Sequence, residues 1–371
     1  MKTAGDLKRF IDVAYRLNAR DPNWVPPLRR DMHILLSRTK NPFFEHAEAE
    51  YFLAERGGEL VGRIAGIANR LHNETHHDKV GFFGFFETIN DQEVARALFD
   101  AAAGWLAPRG FDTMRGPASF SVNDECGLLV EGFDLPNTIM MPHNPRYYAG
   151  LLQSAGFIKA KGLLAYEGGH AEHYAIPPER IQRSVEIGMK RYGVTLRPLN
   201  MKDFRGEIER VKLLYNRCWE SNWGAIPMTD HEIDHLAEQF KPVINANLVP
   251  FAEIAGQPVG FGLALPDFNQ VLKNNKQGRM LPAMLQLLWA LKRKTISRTR
   301  ILLLGVLPEH RGKGIDAMLY HWVWSKAGAD GMFWGEAGWI LEDNPAMIAG
   351  LLKMNFHHYK TYWMVERPIS V

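Results

Sequence analysis

The sequence predicts an α/β protein with mixed sheets, made of two copies of one α/β unit in tandem. Three observations carry this prediction: two blocks recur in the same order, an apolar strand runs through a glycine turn into a helix, and strands alternate with helices along each half. The first repeat sets residues 53–67 against 251–265. Ala54/Ala252, Glu55/Glu253, Gly58/Gly256, Val61/Val259 and Gly62/Gly260 are identical at an offset of 198. Further on, Asn144-Pro145-x-x-x-Ala149-Gly150-Leu151-Leu152 returns as Asn344-Pro345-x-x-x-Ala349-Gly350-Leu351-Leu352 at an offset of 200. Matched blocks in matched order mark an internal duplication.

In the first copy the pattern predicts a helix over 7–17, a hairpin over 51–67 and a strand over 80–88. A helix over 93–106, a strand over 111–115, a helix over 145–155 and a strand over 157–166 follow. No opening strand is evident, and 117–143 is an insertion. Pro177-Pro178-Glu179 starts a connecting helix that runs to about residue 192, since proline suits a helix start. The second copy reads as a strand over 194–198, helices over 203–219 and 231–240, the 251–265 hairpin and a strand over 301–307. A helix over 312–328, a strand over 332–339, a helix over 345–354 and a strand over 359–366 complete it, with 266–299 inserted. The predicted domains are 1–167 and 193–371, joined by 168–192.

At 371 residues, 46% of them hydrophobic, the chain has enough apolar material for two cores. Its 44 basic and 41 acidic residues leave a net charge of +3, which argues against a nucleic-acid partner. Only Cys126 and Cys218 are present, which points to buried thiols in a reducing, cytoplasmic setting rather than a disulfide framework. Residues 1–8 lack the apolar core of a signal peptide. The longest apolar stretch, 280–291, is too short for a membrane span and ends in Lys292-Arg293-Lys294.

The functional signal lies in 301–316, Ile-Leu-Leu-Leu-Gly-Val-Leu-Pro-Glu-His-Arg-Gly-Lys-Gly-Ile-Asp. The apolar run reads as a buried strand that Pro308 ends, and Arg311-Gly312-Lys313-Gly314 leads into a helix. Such a turn aims backbone N–H groups and the positive end of a helix dipole at one point, which binds an anion. The motif R-x-x-G-x-G/A in this setting resembles the pyrophosphate turn of the GNAT superfamily of acyl-CoA-dependent N-acyltransferases. The element order of the second copy is similar to that superfamily across nearly the whole half. Taken whole, the chain resembles a little-characterised family of tandem GNAT proteins.

The resemblance implies an acyltransferase using acetyl-CoA or another acyl-CoA as co-substrate, with a small-molecule or peptide amine as acceptor. The N–H groups of Arg311, Gly312, Lys313, Gly314 and Ile315 would cradle the pyrophosphate. The pantetheine arm would pair with the free edge of the strand at Leu303, Leu304, Gly305 and Val306, Gly305 permitting close approach. Asn344 keeps the first position of the superfamily's N-x-x-A-x-x-L-Y pattern, but Leu351 takes the place of its tyrosine acid. Tyr359 or Tyr362 is then the candidate acid. Deprotonating the amine calls for a carboxylate or water, and Glu336, then Glu342, are the candidates. Asn222 and Trp223, with Asn123, Asp124 and Glu125, are expected along the acceptor's path. Lys292, Arg293, Lys294, Arg298 and Arg300 would meet outlying phosphates or form a solvated face.

Asp316 stands where the motif has glycine or alanine. Its carboxylate favours the helix start by about 0.3–1 kcal/mol, yet at about 5 Å from a phosphate it would cost roughly 1–3 kcal/mol. The first copy has Asn90-Asp91-Gln92-Glu93 at the matching place, read as an Asn90 cap with Glu93 three residues on, so it is expected to be a scaffold or substrate wall rather than a second cofactor site. Asp316 and Leu351 keep open a non-catalytic binding protein on a GNAT fold. A Fem-type aminoacyl transferase would also use paired units but has no need of the glycine turn. His231-Glu232-Ile233-Asp234-His235 matches the H-E-x-x-H zinc motif, with Glu253 as third ligand. Thr229-Asp230-His231-Glu232 is also a capping box, the motif falls in the first helical turn and Glu253 has a twin in Glu55, so the capping reading is preferred and no metal is expected. His72, His76, His77 and Asp78 read as a solvated loop.

Overall fold

Two helices, α1 (Ala4–Leu17) and α2 (Arg29–Leu35), precede the first strand. The computed structural model describes residues 3–220 and 222–369; Met1, Lys2, Ser221, Ser370 and Val371 lie outside it. Next come β1 (Ala47–Arg56), β2 (Glu59–Asn69), α3 (Arg70–His76), β3 (Val80–Thr88), α4 (Gln92–Leu106) and β4 (Thr113–Gly116). Short strands β5 (Ala118–Ser119), β6 (Glu125–Cys126) and β7 (Leu128–Glu131) lead to α5 (Tyr148–Ser154) and β8 (Ile158–Gly168). The chain continues through α6 (Glu179–Tyr192), β9 (Val194–Pro198), α7 (Phe204–Trp219), α8 (Asp230–Phe240), β10 (Pro250–Ile254) and β11 (Gln257–Pro266). After α9 (Asn269–Leu272) and α10 (Met280–Arg293) it ends with β12 (Arg298–Val306), α11 (Ile315–Ala329), β13 (Trp334–Leu341), α12 (Pro345–Lys353) and β14 (His357–Pro368). No helix among the described residues is long and apolar enough to cross a membrane.

The chain forms two units, and they are not contiguous halves. The first comprises Met1–Leu164, Val271–Leu287 and Lys360–Val371; the second comprises Ala165–Gln270 and Leu288–Tyr359. The predicted boundaries are corrected at both ends of the second copy. The last strand serves the first unit, because β14 pairs antiparallel with β4 (Val365 opposite Gly116) and with β7. Helix α6 is no free connector: Val185 joins Val194, Val259, Ile315, Met318 and Leu319 in the second unit's core.

Both units share one run of strands, which in the second unit β9 precedes, antiparallel to β10. An antiparallel hairpin (β1–β2, β10–β11) is followed by an antiparallel strand (β3, β12), then by a crossover helix to a parallel strand (β4, β13). The duplication extends to a defect. The first hairpin shifts register between Ala54 and Glu55, the second between Ala252 and Glu253, which are the same positions of the repeat. Gly62 and Gly260 serve one purpose in both: a Cβ would lie 2.9 Å from the Glu87 carbonyl in one unit and 2.7 Å from the Gly305 carbonyl in the other. Each glycine lets the next strand close up on the hairpin.

The first unit's core is aromatic: Phe99 of α4 stacks on Phe86, meets Phe83 edge-on and lies tilted against Phe157. Fully burying each such ring contributes about 1.5–3 kcal/mol. Residues 70–78 depart from the solvated loop expected of them. They form helix α3, capped by Asn69, with His72 buried against Phe82 and its Nε2 3.3 Å from Asp78. Burial lowers the His72 pKa from 6.5 to about 4. The unfolded chain therefore binds the proton more readily between those values, and stability falls as pH drops through that window. Urea titrations at about pH 7 and about pH 5 are expected to show this loss, and His72→Gln to make it shallower.

Gly84 offers a sharper test of the first unit. A Cβ there would lie 1.9 Å from the Ala118 carbonyl. Gly84→Ala is expected to lower stability by about 1–3 kcal/mol, read as a drop in the urea midpoint; an unchanged midpoint would refute the close packing of 116–119 on β3.

Candidate active site

Strands β12 and β13 pair in parallel from Arg298 opposite Trp334 to Ile301 opposite Ala337, and then separate. On its other edge β12 stays paired with β11 as far as Val306 opposite Gly260. The cause is local. Between Leu263/Leu303 and Ala264/Ile301 the β11–β12 register shifts, leaving Leu302 as an extra residue on β12. Such a bulge bends and twists its strand, and this one sits where the pairing with β13 stops. Leu302, Leu303 and Leu304 become half-exposed, between buried residues on either side. Their backbone groups on the β13 side form an open sheet edge, ready to pair with an extended ligand.

The same strand delivers the chain to the start of α11. Gly312 and Gly314 hold φ of +76° and +72°, and nothing lies within 4 Å of where a Cβ would be on either. These left-handed positions explain why α11 begins at Ile315 rather than at the predicted 312. Gly314 is the N-cap, and no side chain caps the helix. The two glycines thus stand in open space, at a helix start whose first N–H groups no side chain takes up. Arg311 is a correction. Its N–H is taken by the Pro308 carbonyl at 3.2 Å. Its guanidinium donates to the carbonyls of Cys218 (2.8 Å) and Val306 (3.3 Å), tying the end of α7 to the end of β12. Lys313 remains beside the turn, its Nζ 3.0 Å from His310 Nδ1. Asp316 is exposed on the first turn.

The matching features of the first unit are closed. Its β2–β3 ladder also shifts register, beyond Arg63 opposite Glu87, and β3 pairs with β4 only from Val80 to Phe82. There the chain itself fills the gap: the Phe85 N–H donates to Ser119 Oγ, and Phe120 is buried among Phe43, Phe44 and Phe85. The α4 start is capped by Asp91, not by Asn90 as the sequence suggested. Arg56 then clamps Asp91 at 2.8 Å and Glu93 at 3.0 Å.

Known proteins resemble this chain over its whole length. The chain is 38% identical to "Bacterial ceramide synthase" of Caulobacter vibrioides (strain NA1000 / CB15N), covering 100% of this chain and 96% of that one. It is 33% identical to "Protein YghO" of Escherichia coli (strain K12), covering 98% and 93%. The chain belongs to their family. Among solved structures, a tandem GNAT protein from the clavulanic acid biosynthesis pathway superposes with a TM-score of 0.59 at 13% identity, covering 100% of this chain and 97% of the other. The fold is a tandem GNAT fold. No protein-family profile matches the chain.

Within this GNAT fold, several expected side chains have other employment. Glu336 is 0% exposed, its Oε2 3.2 Å from Arg300 Nε; Arg300 in turn donates to the Gly338 carbonyl at 2.8 Å. The candidate base is thus a buried ion pair at the foot of the fork, enclosed from solvent. Glu342 is exposed just past the end of β13. Arg298 is buried as well, with Nε 2.5 Å from Asp267 and its guanidinium over the Trp334 ring. Neither Arg298 nor Arg300 is a solvated or phosphate-seeking cation; Lys292, Arg293 and Lys294 are exposed. Gly305 is needed for packing, not for a ligand: a Cβ would lie 2.7 Å from Trp219 and 2.8 Å from Cys218.

Tyr362 is fully buried in the first unit, where it pairs with Leu129 of β7, while Tyr359 lies in the second unit. A fully buried phenol lacks the solvent access that an exchanging acid needs. Asn344 caps α12 through its Oδ1, which accepts from the Met347 N–H at 3.1 Å. Asn144 of the repeat instead bridges to Leu129 of β7, so α5 starts later than predicted. Asp124 accepts from the Phe120 and Ser121 N–H groups and from Ser121 Oγ, which makes 121–124 a braced turn holding Asn123, while Glu125 opens β6 opposite Ser119. Asn222 and Trp223 stand in the turn after α7, where the Asn222 N–H donates to the Trp219 carbonyl. Glu232 completes the capping box with Thr229, and Glu253 is held by Arg197 at 2.7 Å, so neither is committed to a metal.

The second unit also brings together groups that sequence reasoning missed. Glu167, His170 and His357 place potential ligand atoms within 4.8 Å of one another. Oxygen Oε1 of Glu167 lies 3.4 Å from one imidazole and 3.3 Å from the other, a spacing that hydrogen bonds account for. A mostly apolar pocket is lined by Thr299, Tyr320, Trp324, Met332, Trp334 and Phe356, among others. No spacing rule links residues so far apart.

Breaking one partner of a buried pair strands a charge. Arg300→Met is expected to cost about 3–5 kcal/mol in urea unfolding, and Arg300→Met/Glu336→Met to recover most of it. A double variant no more stable than the single one would show that Glu336 is held by something other than Arg300.

Proposed function

We propose that this protein is an acyl-CoA-dependent N-acyltransferase, with its acyl-CoA site in the second unit and a long-chain amine as acceptor. The single observation behind this reading is the pairing of an open β12 edge with an uncapped, glycine-framed helix start. An extended pantetheine arm suits the edge, and a pyrophosphate suits the N–H groups of Gly312, Lys313, Gly314 and Ile315. In the first unit Phe120 and Asp91 occupy the corresponding places.

The acceptor class rests on the relative called a ceramide synthase. A ceramide is an amide of a fatty acid with a long-chain amino alcohol. We therefore favour a long acyl group over the acetyl group that the GNAT resemblance alone suggested. In the reaction the amine nitrogen attacks the thioester carbonyl, a C–N bond forms, the C–S bond breaks and the coenzyme A thiolate leaves. The nitrogen's proton must go to a base. We assign that role to Glu342, which has the solvent access that Glu336 lacks.

Gly314→Glu places a carboxylate in the cradle and is expected to weaken coenzyme A binding by about tenfold or more, measured by calorimetry. Unchanged affinity would refute the assigned turn. Release of free thiol from a long-chain acyl-CoA should require a long-chain 2-amino alcohol and exceed that from acetyl-CoA. Faster release from acetyl-CoA would return the acyl group to acetyl. Binding without turnover on any amine would favour the non-catalytic GNAT reading.

A further inference from the structure

Helix α10 is built inside out. The residues it buries are Ala283 and Ala290, while Leu281, Leu285, Leu288 and Trp289 are 72%, 64%, 62% and 60% exposed, with Met284 exposed among them. Positions 281, 284, 285, 288 and 289 follow the i, i+3, i+4, i+7, i+8 rule, so the large side chains form one stripe facing outward. A stripe of this kind usually faces a core, and an apolar patch left on a surface marks an interaction site.

The surrounding charge identifies the partner. From Phe268 to Pro308 the chain has no Asp or Glu. Lys273, Lys276 and Arg279 precede the helix, Lys292 and Arg293 end it, and all five are exposed. Protein interfaces with an apolar centre are depleted in lysine. A second copy of the chain is opposed by the same charges, since cations flank both ends and either orientation of two such helices brings cation against cation. A bilayer with anionic headgroups satisfies stripe and cations together: apolar side chains enter the acyl boundary, Trp289 suits the interface, and lysines and arginines reach back to the headgroups. The helix has 14 residues, too few to span a bilayer, so it would lie in the surface plane.

We propose that α10 docks this protein on anionic membrane surfaces, with Leu281, Leu285, Leu288 and Trp289 inserted and Lys292 and Arg293 on the headgroups. The proposal stands on this helix alone and does not depend on the acyl-transfer reading. The test is co-sedimentation of the full chain with vesicles of phosphatidylcholine alone and of phosphatidylcholine mixed with phosphatidylglycerol, at low and high salt. The native protein should pellet with the anionic vesicles, and less so at high salt. Leu285→Gln/Leu288→Gln/Trp289→Gln should lose about tenfold or more of that binding, with its circular dichroism unchanged. Lys292→Glu/Arg293→Glu should lose binding to the anionic vesicles.

Failure of the native protein to pellet with anionic vesicles would overturn the proposal. So would full binding by the triple variant. A dimer in sedimentation velocity that the triple variant converts to monomer would overturn it in favour of self-pairing. Coenzyme A titration of the same samples separates these outcomes from failure of the fork.

Discussion

One extra residue in one strand governs the second unit. Because Leu302 bulges out of the β11–β12 ladder, β12 turns away from β13 after four paired positions and carries the chain to an open glycine turn. What lies below the bulge is held firmly. Arg298 with Asp267 and Arg300 with Glu336 are buried ion pairs on the first and third of those four paired positions. Removing a charge from either would leave its partner uncompensated in a low-dielectric interior. The strands are locked together on one side of the bulge and free on the other.

The duplicated unit has used the same geometry twice for opposite ends. Both hairpins keep their bulge and their strand-closing glycine, so the backbone frame survived divergence. Chemistry did not. In the first unit the chain after β4 turns back into the gap, Phe120 completes an aromatic cluster there, and Asp91 satisfies the helix start that an anion would otherwise satisfy.

Much of this was legible in the sequence wherever a backbone constraint selects one residue type. The glycines of the hairpins and of 312–314 announced turns, Pro308 a strand end, and Thr229 with Glu232 a helix start. The repeat offset exposed the duplication, and hence the fold. Long-range partnership was not legible. Glu336 looked like a base because nothing local reveals that a parallel register sets Arg300 opposite it. Arg298 and Asp267 lie 31 positions apart. Gly305 looked like room for a ligand because the helix that needs the space, α7, ends more than 80 residues earlier. His72 looked solvated because burial of a polar stretch is decided by Phe82 and Asp78 across the chain's return. The bulge itself leaves no signature among four successive apolar residues.

The last strand has a consequence for how the molecule is made. Residues from Lys360 onward belong to the first unit, where β14 lies against β4 and β7 and the Ile369 N–H donates to the Asp112 carbonyl at 2.7 Å. A chain emerging from the ribosome therefore exposes the edge of β4 throughout synthesis of the whole second copy. The unit encoded first is finished last. Nascent chains carry an unpaired sheet edge for most of translation, and a premature stop near the C-terminus leaves its damage in the N-terminal unit.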